Sequence, residues 1–116
     1  MKFKTVIAGI GRQARDFKDE KMLIFFGQCA NGGLEDYSVL IKEPRETITI
    51  CPGDVLTIGK NTYPVTAVGD KASETFSDLG HCTVRFDGAK EAVLPGTVHV
   101  KGDYPEYQVG DSVVIE

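Results

Sequence analysis

The sequence predicts an all-β domain, a closed Greek-key-like β-barrel with one short helix, and three observations carry that expectation. Val, Ile and Thr, the branched side chains that pleated strands favour, number twelve, eight and nine among 116 residues. Gly and Pro recur at short intervals, so strands must be short and turns many. Only over residues 70–80 does the apolar period change from two to nearly four.

Each element follows from its local pattern. "KFKTVIAGI" (2–10) opens as a strand; its apolar run is too short for the core of a secretory signal. "KMLIFFG" (21–27) is continuously apolar, which marks a strand without showing its faces. The turn "NGG" (31–33) leads to "YSVLIKE" (37–43), and beyond Pro44 a further strand is expected at "TITI" (47–50). "PGD" (52–54) forms a turn, Val55 and Thr57 alternate with Leu56 and Ile58, and "GKN" (59–61) closes a hairpin that returns through "TYPVTAV" (62–68). Pro64 offers no amide donor, so it belongs at an edge or a bulge.

In "DKASETFSDLG" (70–80), Ala72, Phe76 and Leu79 recur at helical spacing, with Asp70 as N-cap and Gly80 at the C-terminal stop. That helix should plug one end of the barrel or cover an edge. "HCTVRF" (81–86), "TVHVK" (97–101) and "VGDSVVI" (109–115) supply the closing strands. Alternation turns Cys82, Val84, Phe86, Val98 and Val100 to the core, and His81, Thr83, Arg85, Thr97, His99 and Lys101 outward.

Composition narrows the function. One domain spanning residues 1–116 is expected, long enough to form a core without staples. Thirteen basic and seventeen acidic residues give a net charge of −4 with no cationic run, which argues against nucleic acid as partner. No apolar stretch approaches the roughly 20 residues of a membrane helix, so a cytoplasmic protein that does not itself span the membrane is expected. Cys29, Cys51 and Cys82 are odd in number and lack C-x-x-C spacing, so unbridged thiols and no metal or other cofactor are expected.

The only two histidines, His81 and His99, share one segment, "GHCTVRFDGAKEAVLPGTVHV" (80–100). An unpaired strand histidine is most simply a surface residue. The sharper reading makes one of them a catalytic nucleophile, since a neutral imidazole has a free lone pair near neutral pH and a nearby Arg, Lys or Thr can hold anionic oxygens. Thr83 lies one same-face step from His81, about 7 Å along the strand, so cross-strand neighbours must complete any such site.

"YPVTAVG" (63–69), "LGH" (79–81), "RFDG" (85–88) and "LPGTVHV" (94–100), with "LEDY" (34–37) and "PGD" (52–54) upstream, resemble the glucitol/sorbitol-specific IIA component family of the bacterial phosphoenolpyruvate-dependent sugar phosphotransferase system. The resemblance covers most of the chain. It implies a cytoplasmic phosphocarrier that takes phosphate on a histidine from the histidine-containing phosphocarrier protein and passes it to the IIB unit of a membrane IIB/IIC permease. In that family the phosphorylated histidine lies a few residues after the Leu-Glu-acid-Tyr stretch, which falls here at Ser38–Glu43. This chain reads "SVLIKE" there, without histidine. Three possibilities follow: the placement is off by a loop, His99 or His81 substitutes with His99 favoured, or a IIA-like barrel binds partners and carries no phosphate.

Overall fold

The computed structural model describes residues 1–28 and 33–116. Eight strands close into a barrel: β1 (Phe3–Ile10), β2 (Met22–Gly27), β3 (Val39–Ile41), β4 (Val55–Ile58), β5 (Asn61–Val68), β6 (Cys82–Arg85), β7 (Thr97–Val100) and β8 (Ser112–Ile115). Around the barrel they run β1-β3-β2-β6-β7-β5-β4-β8. Six of the pairings are antiparallel, while β2 with β3 and β6 with β7 are parallel, so the sheet is mixed. Parallel neighbours cannot be joined by a tight hairpin, so each of these pairs is linked by a longer crossover.

The expected barrel is present, and the one α-helix among the described residues, α1 (Ala72–Leu79), falls inside the predicted segment. Gly80 ends it with φ at 67°, the left-handed conformation only glycine adopts without cost. Asp70 is not the N-cap. Lys71 occupies that position and makes no side-chain capping bond. α1 contributes Ala72 and Phe76 to the core, with Phe76 edge-on to Phe3 at 5.5 Å.

Two 3-10 helices, Ala14–Glu20 and Leu34–Tyr37, went unpredicted because neither has an apolar period long enough to register. The strand expected at 47–50 is absent. Ile48 and Ile50 are buried, but their amides donate to the hydroxyls of Ser77 and Ser73 on α1 and not to a strand partner. The turn "NGG" falls partly outside the described residues. The hairpin of β4 and β5 forms as expected, and a bulge follows exposed Pro64, between Val65 and Ala67.

The core runs through every wall of the barrel. Cys82, Val84, Phe86, Val98 and Val100, the residues that alternation turned inward, are all buried. Phe86 sits in an aromatic row, with Tyr63 at 5.0 Å and Tyr104 at 5.6 Å. Cys51 and Cys82 are free thiols, and Cys29 lies outside the described residues.

Candidate functional site

His81 is fixed by the end of α1. Its backbone amide reaches the carbonyl of Thr75 at 3.3 Å and its own carbonyl accepts the Thr75 hydroxyl at 2.8 Å. The ring is half-buried, packs on Phe26 at 4.7 Å, and places Nδ1 3.1 Å from the carbonyl oxygen of Phe25. A carbonyl can only accept, so Nδ1 carries the hydrogen in that contact and Nε2 is left with its lone pair in the neutral ring.

Beside His81, β2 and the end of α1 touch backbone to backbone. A methyl group built on Gly80 would stand 2.9 Å from the Gly27 nitrogen, and one built on Gly27 would stand 2.6 Å from the Leu79 carbonyl. Glu43 fills the space those absent side chains leave. Its Oε2 accepts the Gln28 amide at 2.8 Å, and its Cβ lies 3.2 Å from the position a Gly80 Cβ would take. Glu43 thus packs its carboxylate on Gly27 and its Cβ on Gly80, the residue that precedes His81.

The Ser38–Glu43 segment is largely barrel wall. Ser38 is buried with its hydroxyl donating to the Leu34 carbonyl at 2.7 Å. Val39 and Ile41 are wholly buried at 0% exposure, and Ile41 is in register with Ile7 on β1 and Gly27 on β2. Beyond Ile41, Lys42 is exposed and Glu43 half-buried.

The outward, accessible placement of His99 does not hold. His99 does point away from the barrel core, but β7 is covered on both faces and the residue is only 6% exposed, with Thr97 at 3%. The segment from Asp87 to Gly96, the parallel crossover between β6 and β7, folds back over it. His99 Nδ1 meets Asp87 Oδ1 at 2.8 Å, and the same oxygen accepts the Ala89 amide at 3.1 Å. Burial works to raise the Asp87 carboxyl, yet the hydrogen bonds from His99 and the Ala89 amide, with the charges of His99 and Arg85, outweigh it and hold the group below the ordinary aspartate value. Nε2 of His99 is buried and has no hydrogen-bond partner among the described residues.

The structure does not bring the two histidines together. His99 is in register with Arg85, four residues beyond His81 along β6, so the two sites stand about 13 Å apart along the wall. The cross-strand cation that any His99 site required is Arg85 itself. Asp87 escaped sequence reasoning as a partner for His99; its only signal was its place in "RFDG", at the start of the loop that returns to "TVHV". Among the described residues, no group of three or more His, Cys, Asp or Glu side chains is placed to hold a metal. No helix there is long and apolar enough to cross a membrane.

Comparisons with known proteins agree with this architecture. The family model described as "PTS system glucitol/sorbitol-specific IIA component" matches residues 2–114. The chain is 41% identical over 104 residues to the PTS system glucitol/sorbitol-specific EIIA component of Escherichia coli (strain K12), covering 90% of this chain and 85% of the relative. The protein of the same description from Shigella flexneri matches to the same extent. Among solved structures, the PTS system IIA component from Enterococcus faecalis V583 superposes with a TM-score of 0.86 at 27% identity, over 97% of this chain and 98% of the other.

Proposed function

The chain belongs to the PTS glucitol/sorbitol-specific IIA component family, and from that premise we propose that it is a cytoplasmic IIA-type barrel that binds phosphotransferase partners without carrying phosphate on a histidine at the Ser38–Glu43 segment. The partners this reading names are the histidine-containing phosphocarrier protein and the IIB unit of a sugar permease. The observation that carries it is the "SVLIKE" strand. It has no imidazole, and Ile41 is wholly buried between β1 and β2. An isoleucine side chain offers no nucleophile, and an acyl phosphate on Glu43 would be a different chemistry with no supporting sequence motif.

A second reading rests on His81. With Nδ1 donating to the Phe25 carbonyl, the Nε2 lone pair is free to attack phosphorus. The new N–P bond would form as the donor histidine's N–P bond breaks, leaving the donor imidazole neutral and the phosphoryl group on His81. His99, the histidine favoured from the sequence, has less support as an acceptor from a protein donor, because its Nε2 is buried.

Incubation with phosphoenolpyruvate and the two general phosphotransfer proteins tests both. The expected result is no acid-labile phosphoprotein, together with measurable binding to the histidine-containing phosphocarrier protein by heteronuclear NMR. Labelling that vanishes in His81→Gln would establish the second reading instead. Neither labelling nor partner binding would sink both.

A further inference from the structure

We propose that the cleft between the first half of β1 and the chain that leaves β3 is a docking site for an extended acidic segment of a partner protein, which adds as a strand to the open edge of β1 and sets its carboxylates against Lys4, Lys42 and Arg45. This goes beyond the proposed function and does not depend on it, since neither a phosphoryl group nor either histidine takes part.

The first ground is a length of strand with one edge open. β1 pairs with β8 from Phe3 to Val6 but with β3 only from Ile7 to Ile10, and the ladder between β1 and β3 stops at Ile7 and Ile41. The Ile7 amide donates to the Asp111 carbonyl and the Ile7 carbonyl accepts the Gly110 amide, so Ile7 faces β8. Backbone groups alternate between the two edges of a strand; Lys4 and Val6 therefore turn to the side on which β3 has ended. The chain beyond Ile41 does not continue the ladder. The Lys42 carbonyl accepts the Thr5 hydroxyl at 2.8 Å, and Pro44 has no amide to offer. A strand edge left in this way is a template for one more strand.

The second ground is the charge around that edge. Phe3, Lys4, Val6, Lys42, Glu43 and Arg45 border an open cleft of about 350 Å3. Lys4, Lys42 and Arg45 are all exposed, and none forms an ion pair among the described residues. Lys2, one same-face step before Lys4, differs in being paired already, with Asp54 at 2.7 Å. Glu43 is the one carboxylate among the residues bordering the cleft, and its Oε2 is held by the Gln28 amide at 2.8 Å. A chain of net charge −4 thus gathers three unpaired cations beside its open strand edge.

The two grounds together select the partner. A nucleic-acid backbone could meet the cations, but it brings no peptide groups to pair with a strand edge. A second copy of β1 would bring its own lysines against Lys4 and Lys42, and such like charges repel, which is how lysines protect an open edge. An extended peptide with carboxylates at alternate positions satisfies both features. Its backbone pairs with β1, and its side chains two residues apart fall on one face, the outer face that Lys4 and Lys42 share.

The test uses the whole 15N-labelled chain, titrated separately with the peptide acetyl-Thr-Glu-Val-Glu-Thr-Glu-amide, its counterpart with Lys for every Glu, the acidic peptide N-methylated at every backbone amide, hexathymidylate and sodium phosphate. The expected result is a saturable shift of the Lys4, Val6, Lys42 and Arg45 amides with the acidic peptide, weaker as salt is raised, and none with the lysine or N-methylated forms. Lys42→Ala and Arg45→Ala should each reduce that affinity by about twofold to fivefold, the range of a solvent-screened charge pair, with the rest of the amide spectrum unchanged. Phosphate or hexathymidylate moving the same amides as strongly as the peptide would overturn the partner class. Equal binding of the N-methylated form would overturn strand addition, and equal binding by both alanine variants and wild type would overturn the role of the cations. Shifts of these amides on concentrating the protein alone would make a second copy the occupant, and no shift with the acidic peptide would overturn the site.

Discussion

Arg85 on β6 and His99 on β7 stand side by side in register, on the outer face of a parallel pair. In parallel strands, residues in register point to the same face. A cation and an imidazole that alternation alone could only assign to "outward" are therefore neighbours, and the crossover that parallel pairing demands covers them. Burial of His99 is a consequence of that connection and not of β7's own sequence.

Asp87 links this crossover to the barrel, and its contribution should depend on pH. The carboxyl is held below its ordinary value in the folded chain, so its stabilisation is present above the unfolded value of about 3.9 and is lost as pH falls through the folded value. Asp87→Asn should be less stable than wild type at neutral pH, and the gap should close in the acid range. Urea midpoints measured from neutral pH downward check this; a gap independent of pH would mean that the ionised carboxyl is not what stabilises.

The thiols should react unequally. Burial alone pushes the Cys82 thiol up to about 12, which leaves almost no thiolate near neutral pH. Cys51 is half-buried and free. Iodoacetamide on the native protein should modify Cys51 and spare Cys82 until denaturant is added, as read by peptide mass spectrometry. Prompt labelling of Cys82 would show that β6 opens readily.

Phe86 tests the core. It is 3% exposed and packs edge-on between Tyr63 and Tyr104. Phe86→Ala should cost about 3–5 kcal/mol, the range for deleting a buried aromatic ring. Chemical denaturation gives the value directly, and a loss under about 1 kcal/mol would mean the aromatic row collapses to refill the space.

What the residues disclosed in advance, and what they withheld, follows range of interaction. Alternation in "HCTVRF" gave the inward set of β6 because a period of two is a local property. Gly80 marked the end of α1 for the same reason. Ile48 and Ile50 alternate as a strand does and are buried as a strand's would be, yet their amides are met by Ser77 and Ser73 on α1. Nothing in "TITI" reports that a helix, not a strand, lies alongside. The two histidines were visible as candidates, but the features that separate them are the Phe25 carbonyl on His81 and the Asp87 carboxylate on His99. Both are long-range or loop contacts that no local period encodes.

The contact of β2 with the end of α1 gives the last prediction, because it decides how His81 is presented. A methyl group on Gly27 would meet Glu43 Oε2 at 2.6 Å and the Leu79 carbonyl at 2.6 Å. The carboxylate is the end of a flexible side chain and can swing away, at the loss of its bond to the Gln28 amide. The carbonyl belongs to the final turn of α1 and cannot move unless the helix moves with it. Gly80 follows, already in the left-handed conformation and itself within 2.9 Å of the Gly27 nitrogen once a Cβ is added, so the turn has no slack to absorb the shift. Gly27→Ala should therefore destabilise the barrel by about 1–3 kcal/mol, the usual cost of overpacking. It should also lengthen the His81 Nδ1 contact with the Phe25 carbonyl, freeing the ring to change tautomer. Denaturation midpoints report the first effect and the 15N shifts of the His81 ring the second. A variant that loses stability with His81 shifts unchanged would show that the helix end yields without carrying the imidazole along.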